Sequence, residues 1–137
     1  KPSNVILTPT RVKILDFGIA RKLHGDTRLT MTGLAVGTPM YMSPEQIQGA
    51  ELDGRCDLYA LGVLAFALLA GREPFLGNNP TAIALEHLQS PPPDLRILRP
   101  GTPEPWVAFV ERLLAKSPGD RYPDAQAVGD ALDLLPD

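Results

Sequence analysis

The sequence predicts a mainly α-helical unit with one small β-hairpin near its N-terminus. Three observations carry that expectation. Two short β-branched runs, Val5-Ile6-Leu7 and Val12-Lys13-Ile14-Leu15, flank the turn-forming stretch Thr8-Pro9-Thr10-Arg11. Beyond residue 43 the apolar residues recur at helical spacing, and capping residues or prolines introduce these stretches. No internal repeat appears, and 137 residues fit one domain or part of one.

Taken in order, the hairpin should bring Asn4 and Asp16 to the same end. Residues 19–42 lack a sustained period and are rich in Gly and Thr, as expected of an ordered but switchable loop. Ser43-Pro44-Glu45-Gln46 places Ser at an N-cap, Pro at the first helical position and Gln three residues on, a capping box for a short helix ending near Gly49. Asp53 is expected to cap the next helix, which is apolar on nearly every side from Leu58 to Leu69 and should be enclosed by protein. Within it, Gly62 would let another backbone approach closely.

After Pro80, residues Thr81 to Leu88 read as a short amphipathic helix. Six prolines between Pro91 and Pro105 then make an extended connection that cannot be helical throughout. Thr102 and Pro103 open another helix, with Trp106, Phe109, Val110, Leu113 and Leu114 on one face. The stretch Lys116 to Arg121 breaks it, and Ala125, Val128, Leu132 and Leu135 supply the apolar side of a last helix.

Composition narrows the functional classes. With 44% apolar and 21% charged residues, the chain is an ordinary globular one. A net charge of −3 and a pI near 5.3 give no support for a nucleic-acid partner. The single cysteine, Cys56, excludes an internal disulfide, while His24 and His87 lack zinc-ligand spacing and are expected at the surface. The longest apolar run, Leu58 to Ala70, has 13 residues against the ~18 or more of a membrane span, so a cytoplasmic location is expected.

Chemistry enters with Asn4 and Asp16, whose side chains offer hard oxygen ligands suited to Mg²⁺ on nucleotide phosphates. Lys1-Pro2-Ser3-Asn4, a strand, and Asp16-Phe17-Gly18 resemble the protein-kinase series of catalytic-loop Lys and Asn followed by Asp-Phe-Gly. Further along, Gly37-Thr38-Pro39-Met40-Tyr41-Met42-Ser43-Pro44-Glu45 resembles the end of that family's activation segment, with Ser43 where Ala is commoner. Asp57 to Gly62 is similar to its central helix, Gly71 to Phe75 to the turn after it, and Leu113 to Arg121 to a late helix with its arginine. A three-residue string recurs by chance, but an ordered set spanning nearly the whole chain does not.

The resemblance is to serine/threonine protein kinases of the eukaryotic-like, bacterial type. It implies that residues 1–137 form the C-terminal lobe of the α+β kinase fold, from the end of the catalytic loop onward. The family's catalytic Asp would lie two residues before Lys1, and none of the twelve glycines fits the phosphate-covering G-x-G-x-x-G, so the N-terminal lobe is expected to be absent. Function would then belong to a parent protein that transfers the γ-phosphoryl group of ATP to protein Ser/Thr hydroxyls, with this chain alone inactive.

The same resemblance assigns roles by position. Asp16 would chelate Mg²⁺ bridging the β- and γ-phosphates, and Asn4 would hold a second ion. Lys1 would contact the γ-phosphate, and Thr38 would hydrogen-bond Lys1 and the catalytic Asp; both are Ser/Thr-type features. Thr30 and Thr32 lie where such kinases are often autophosphorylated, which implies a kinase–kinase dimer, with Arg21 as one phosphate contact. Glu45 and Arg121 would form a buried ion pair, and Asp57 would anchor the catalytic-loop backbone. A pseudokinase or scaffold binding partners through the helical lobe is the alternative, against which the retained Lys1, Asn4 and Asp16 argue.

Overall fold

The computed structural model describes residues 1–15 and 39–136. A 3₁₀ turn, Pro2–Asn4, leads into β1 (Val5–Leu7), which pairs antiparallel with β2 (Val12–Ile14) in the register Val5 to Ile14. Thr8 closes the hairpin. Its N–H and hydroxyl both donate to the Arg11 carbonyl, at 2.9 and 2.7 Å, and the Arg11 N–H donates back to Thr8 Oγ1 at 3.1 Å. Apolar side chains such as Leu7, Val12 and Ile14 are exposed among the described residues, so hydrogen bonding rather than burial defines the pair.

Among the described residues the remaining elements are helical, giving the expected mainly α architecture with one two-stranded sheet. A 3₁₀ turn, Pro39–Tyr41, precedes α1 (Pro44–Gln48), which begins with the anticipated capping box. Ser43 N–H donates to Gln46 Oε1 at 2.8 Å, Gln46 N–H donates to Ser43 Oγ at 3.4 Å, and Gly49 ends the helix in a left-handed conformation at φ 65°. There follow α2 (Arg55–Ala70), α3 (Pro80–Gln89), α4 (Leu95–Leu98), α5 (Glu104–Leu113), a 3₁₀ turn at Pro118–Asp120, and α6 (Ala125–Leu132).

The lobe is organised around α2, which buries Tyr59, Val63 and Phe66. A Cβ on Gly62 would stand 2.7 Å from Leu113 Cβ and 3.2 Å from the Leu113 carbonyl carbon, so glycine is what lets α5 cross this closely. Two expectations about α2 need correction. Gly54, not Asp53, is the N-cap residue; Asp53 instead accepts the Arg55 N–H at 2.8 Å and pairs with the Arg55 guanidinium. Nor is the helix enclosed all round among the described residues, since Leu68 is 77% exposed. Its hydropathy is too uniform to choose a face, and the groove at Gly62 chooses it.

The proline-rich connection contains an unforeseen single turn, α4. Asp94 accepts the Arg96 N–H at 2.9 Å and so caps that turn, and Leu95 fills the core beneath it. Thr102 does not cap α5; its hydroxyl donates to the Arg99 carbonyl at 2.8 Å, and Pro103 takes the cap position. The buried side of α5 also includes Val107, which the expected stripe omits. In α6, capped by Asp124, Ala125 is exposed and Leu132 is 46% exposed, while Val128 packs inward with Ala127, Ala131 and Leu135 beside it. The two alanines let that face sit close to the core, rotating the helix away from the leucine stripe.

Candidate functional site

At the base of the hairpin, the Asn4 carbonyl accepts the Leu15 N–H at 2.7 Å, and the Asn4 N–H donates to the Lys1 carbonyl at 3.0 Å. The ladder thus sets half-buried Asn4 against the residue that precedes Asp16, with Lys1 exposed at the head of the 3₁₀ turn. Among the described residues, neither the Asn4 amide nor the Lys1 ammonium makes a side-chain hydrogen bond. Asp16, Arg21, Thr30, Thr32 and Thr38 lie outside the described residues, as does His24.

Glu45, in the first turn of α1, meets Arg121, just beyond the Pro118–Asp120 turn. Arg121 Nη1 and Nη2 donate to Glu45 Oε1 and Oε2 at 2.7 and 2.9 Å. The remaining N–H groups reach the carbonyls of Arg55, Lys116 and Ala115 at 2.9, 3.0 and 2.8 Å, so all five guanidinium donors are engaged. The guanidinium also lies over the Tyr59 ring, 4.8 Å from its centroid. Side-chain exposure is 0% for Arg121 and 8% for Glu45. Burial opposes ionisation of Glu45, but the hydrogen bonds and charge of Arg121 outweigh it and hold the carboxyl below its ordinary range.

Buried Cys56 neighbours Ser43 and Glu45, and burial pushes its thiol pKa up, as for an inert core cysteine. Asp57 is exposed in the first turn of α2, and its carboxylate makes no hydrogen bond among the described residues. Its location suits the positive end of the helix dipole.

His87, expected at the surface, is instead fully buried, at 0% exposure. It lies one helical turn after Ile83, and these two are the buried residues of α3. Its polar character hides it from a purely apolar pattern, but the i, i+4 spacing from Ile83 is a signal that could have found it. Nδ1 pairs with the Tyr59 hydroxyl at 2.9 Å, and the Phe75 ring lies 4.7 Å away, centroid to centroid. Lys116 Nζ donates to the His87 carbonyl at 2.7 Å and stands 4.1 Å from the Phe75 centroid. Burial and the Lys116 charge lower the His87 pKa to about 4; burial lowers that of Lys116 to about 8 and raises that of Tyr59.

Sequence comparison places these features in a wider set. The protein kinase domain family matches residues 1–131. A probable serine/threonine-protein kinase of Streptomyces coelicolor is 43% identical over 128 residues, covering 91% of this chain and 19% of that protein. The serine/threonine-protein kinase PknB of Mycobacterium leprae is 38% identical over 126 residues, 91% of this chain and 20% of that one. Pkn1 of Myxococcus xanthus, also a serine/threonine-protein kinase, is 42% identical over 139 residues, 98% and 20% respectively. The chain spans about a fifth of the length of these relatives. No helix among the described residues is long and apolar enough to cross a membrane.

Proposed function

The chain belongs to the protein kinase domain family, and on that footing we propose that it is the C-terminal-lobe portion of an ATP-dependent serine/threonine protein kinase of bacterial type. The observation that most supports this is the hairpin register, which sets Asn4 opposite the residue before Asp16. On this reading the Asp16 carboxylate would join the Asn4 amide oxygen at one end of β1–β2. They are hard donors that fit Mg²⁺, which keeps much of its shell for water and phosphate oxygens and needs only one or two protein ligands.

Bound MgATP would supply the phosphoryl group. Asn4 and Asp16 would hold the metal ions, and Lys1 would place a compact positive charge near the γ-phosphate. Thr38 would orient Lys1 and the catalytic Asp toward the acceptor hydroxyl of a protein substrate. Glu45 and Arg121 would tie the segment that follows Thr38 to the late helices. Because phosphoryl transfer has a loose transition state, these contributions are positioning and charge stabilisation rather than covalent chemistry. The chain on its own, without a catalytic Asp, would be inactive.

The test is phosphate transfer from radiolabelled ATP by the full-length protein, with phosphoamino-acid analysis of the product. Phosphoserine or phosphothreonine that disappears in Asp16→Ala and falls steeply in Asn4→Ala is expected. Full-length protein that folds and binds partners but transfers no phosphate with Mg²⁺ or Mn²⁺ would instead make it a scaffold.

A further inference from the structure

His87 Nε2 is a buried polar atom without a hydrogen-bond partner among the described residues. A buried polar atom left unmet is destabilising, so its surroundings call for an account. The opposite ring nitrogen is engaged by Tyr59 of α2, and the backbone behind His87 is held by Lys116. The 3₁₀ turn Pro39–Tyr41 packs on both α2 and α3. Within that turn the Met40 backbone favours the protonated imidazole, and Nε2 makes no hydrogen bond to it.

We propose that His87 is a positioning residue that latches the Pro39–Tyr41 turn to α2 and α3, its Nε2–H directed at the Met40 carbonyl. The tautomer follows from this pairing. If the Tyr59 hydroxyl donates to Nδ1, the proton of the neutral ring sits on Nε2 and faces the turn. The latch acts one residue from Thr38, and in this respect it rests on the kinase reading: it would fix the path of the chain that carries Thr38 toward the acceptor hydroxyl. Lys116 contributes by holding the C-terminal end of α3, where Nζ caps the carbonyls of Glu86 and His87 at 3.4 and 2.7 Å.

Two readouts on the full-length protein separate the latch from the enzymatic reading. The first is amide exchange at Met42, whose N–H donates to the Pro39 carbonyl at 3.0 Å and so reports the turn without reference to activity. His87→Phe, which keeps a ring but no donor, is expected to speed Met42 exchange at least tenfold while leaving α5 amides protected. His87→Gln, whose amide can reach the Nε2 position, is expected to restore most of the protection. The second readout is steady-state kinetics, in which His87→Phe should raise the KM for a protein substrate several-fold with the KM for ATP unchanged, and His87→Gln should recover it. Tyr59→Phe, which removes the other anchor without touching Nε2, guards against a His87 variant that fails to fold; it should also loosen Met42. Unchanged Met42 exchange in folded His87→Phe and Tyr59→Phe overturns the latch. A full-length protein without transferase activity would refute the kinase reading while leaving the exchange test intact.

Discussion

Glu45 and Arg121, 76 residues apart in sequence, meet in a two-point ion pair at 2.7 and 2.9 Å that joins α1 to the segment before α6. The arginine belongs to two systems at once. Three of its N–H groups satisfy the carbonyls of Arg55, Ala115 and Lys116, so it also finishes the start of α2 and the end of the α5 segment.

Arg121→Met should therefore destabilise the kinase domain by about 3–5 kcal/mol, because it strands a buried carboxylate. Glu45→Leu combined with Arg121→Met should recover part of this loss, since neither charge is then left alone. Full recovery is not expected, because the three carbonyls remain without their donor. Urea unfolding of the single and double variants measures both effects, and a single variant within about 1 kcal/mol of wild type would contradict the assignment. The acid side has a definite sign: the lowered Glu45 pKa contributes stability that is present above the ordinary carboxyl value and lost as pH falls through the folded one.

Gly62 makes a second, independent claim on the same core. A methyl group there meets Leu113 Cβ at 2.7 Å and backbone at 3.2 Å, and backbone cannot rotate aside. Gly62→Ala would normally gain helix propensity. Overpacking at the α2–α5 crossing should outweigh that gain, giving a net loss of about 1–3 kcal/mol. A thermal melt that shows Gly62→Ala equal to or above wild type would mean that the helices separate without cost.

Much of this was legible because local signals and tertiary need coincide. Ser43-Pro44-Glu45-Gln46 states its own capping box, Gly62 in an apolar helix announces a close crossing, and the Thr8 to Arg11 turn separates two β-branched runs. Where the reading failed, a single position had two uses. Asp53 has a capping side chain but turns it to Arg55, and Leu132 is apolar yet faces outward because Ala127 and Ala131 permit closer packing on the other side. Asp94 and Leu95 form a turn too short to generate periodicity. His87 escaped because burial of a histidine depends on Tyr59, 28 residues earlier, and on Lys116, 29 residues later. For the candidate site, Asn4 and its place in the ladder followed from hairpin pairing alone, whereas the roles of Lys1, Asp16 and Thr38 rest on ordered motifs.

Thr30 and Thr32 are proposed as sites of autophosphorylation in the active full-length kinase. Each phosphate would add about −1.5 to −2 charges to a segment that also contains Arg21, allowing a charge-assisted contact. Mass spectrometry of active protein should find at least one of the two modified, and Thr30→Ala combined with Thr32→Ala should lower activity. Active enzyme with both threonines unmodified would remove them from the regulatory scheme.

His87 should leave a signature in the pH dependence of stability. Its pKa falls from an ordinary 6.5 to about 4 in the folded protein, because burial penalises the imidazolium and Lys116 repels it. Between those values the unfolded chain binds a proton that the native protein does not, so stability declines as pH drops from 6.5 toward 4 and is independent of this group above that window. At about 1.4 kcal/mol for each pH unit between the two values, the full amplitude is about 3 kcal/mol. Tyr59 faces the same ring without charge, and Lys116 titrates near 8, above the window. Carboxylates such as Glu45 titrate in the lower part of the range, but they do so equally in His87→Gln. The wild-type minus His87→Gln difference, from urea unfolding at a series of pH values between about 4 and 8, should therefore isolate the histidine: flat from about 8 to about 6.5, then falling. A difference that stays level from about pH 8 down to about pH 4 would mean that His87 titrates alike in the folded and unfolded chain.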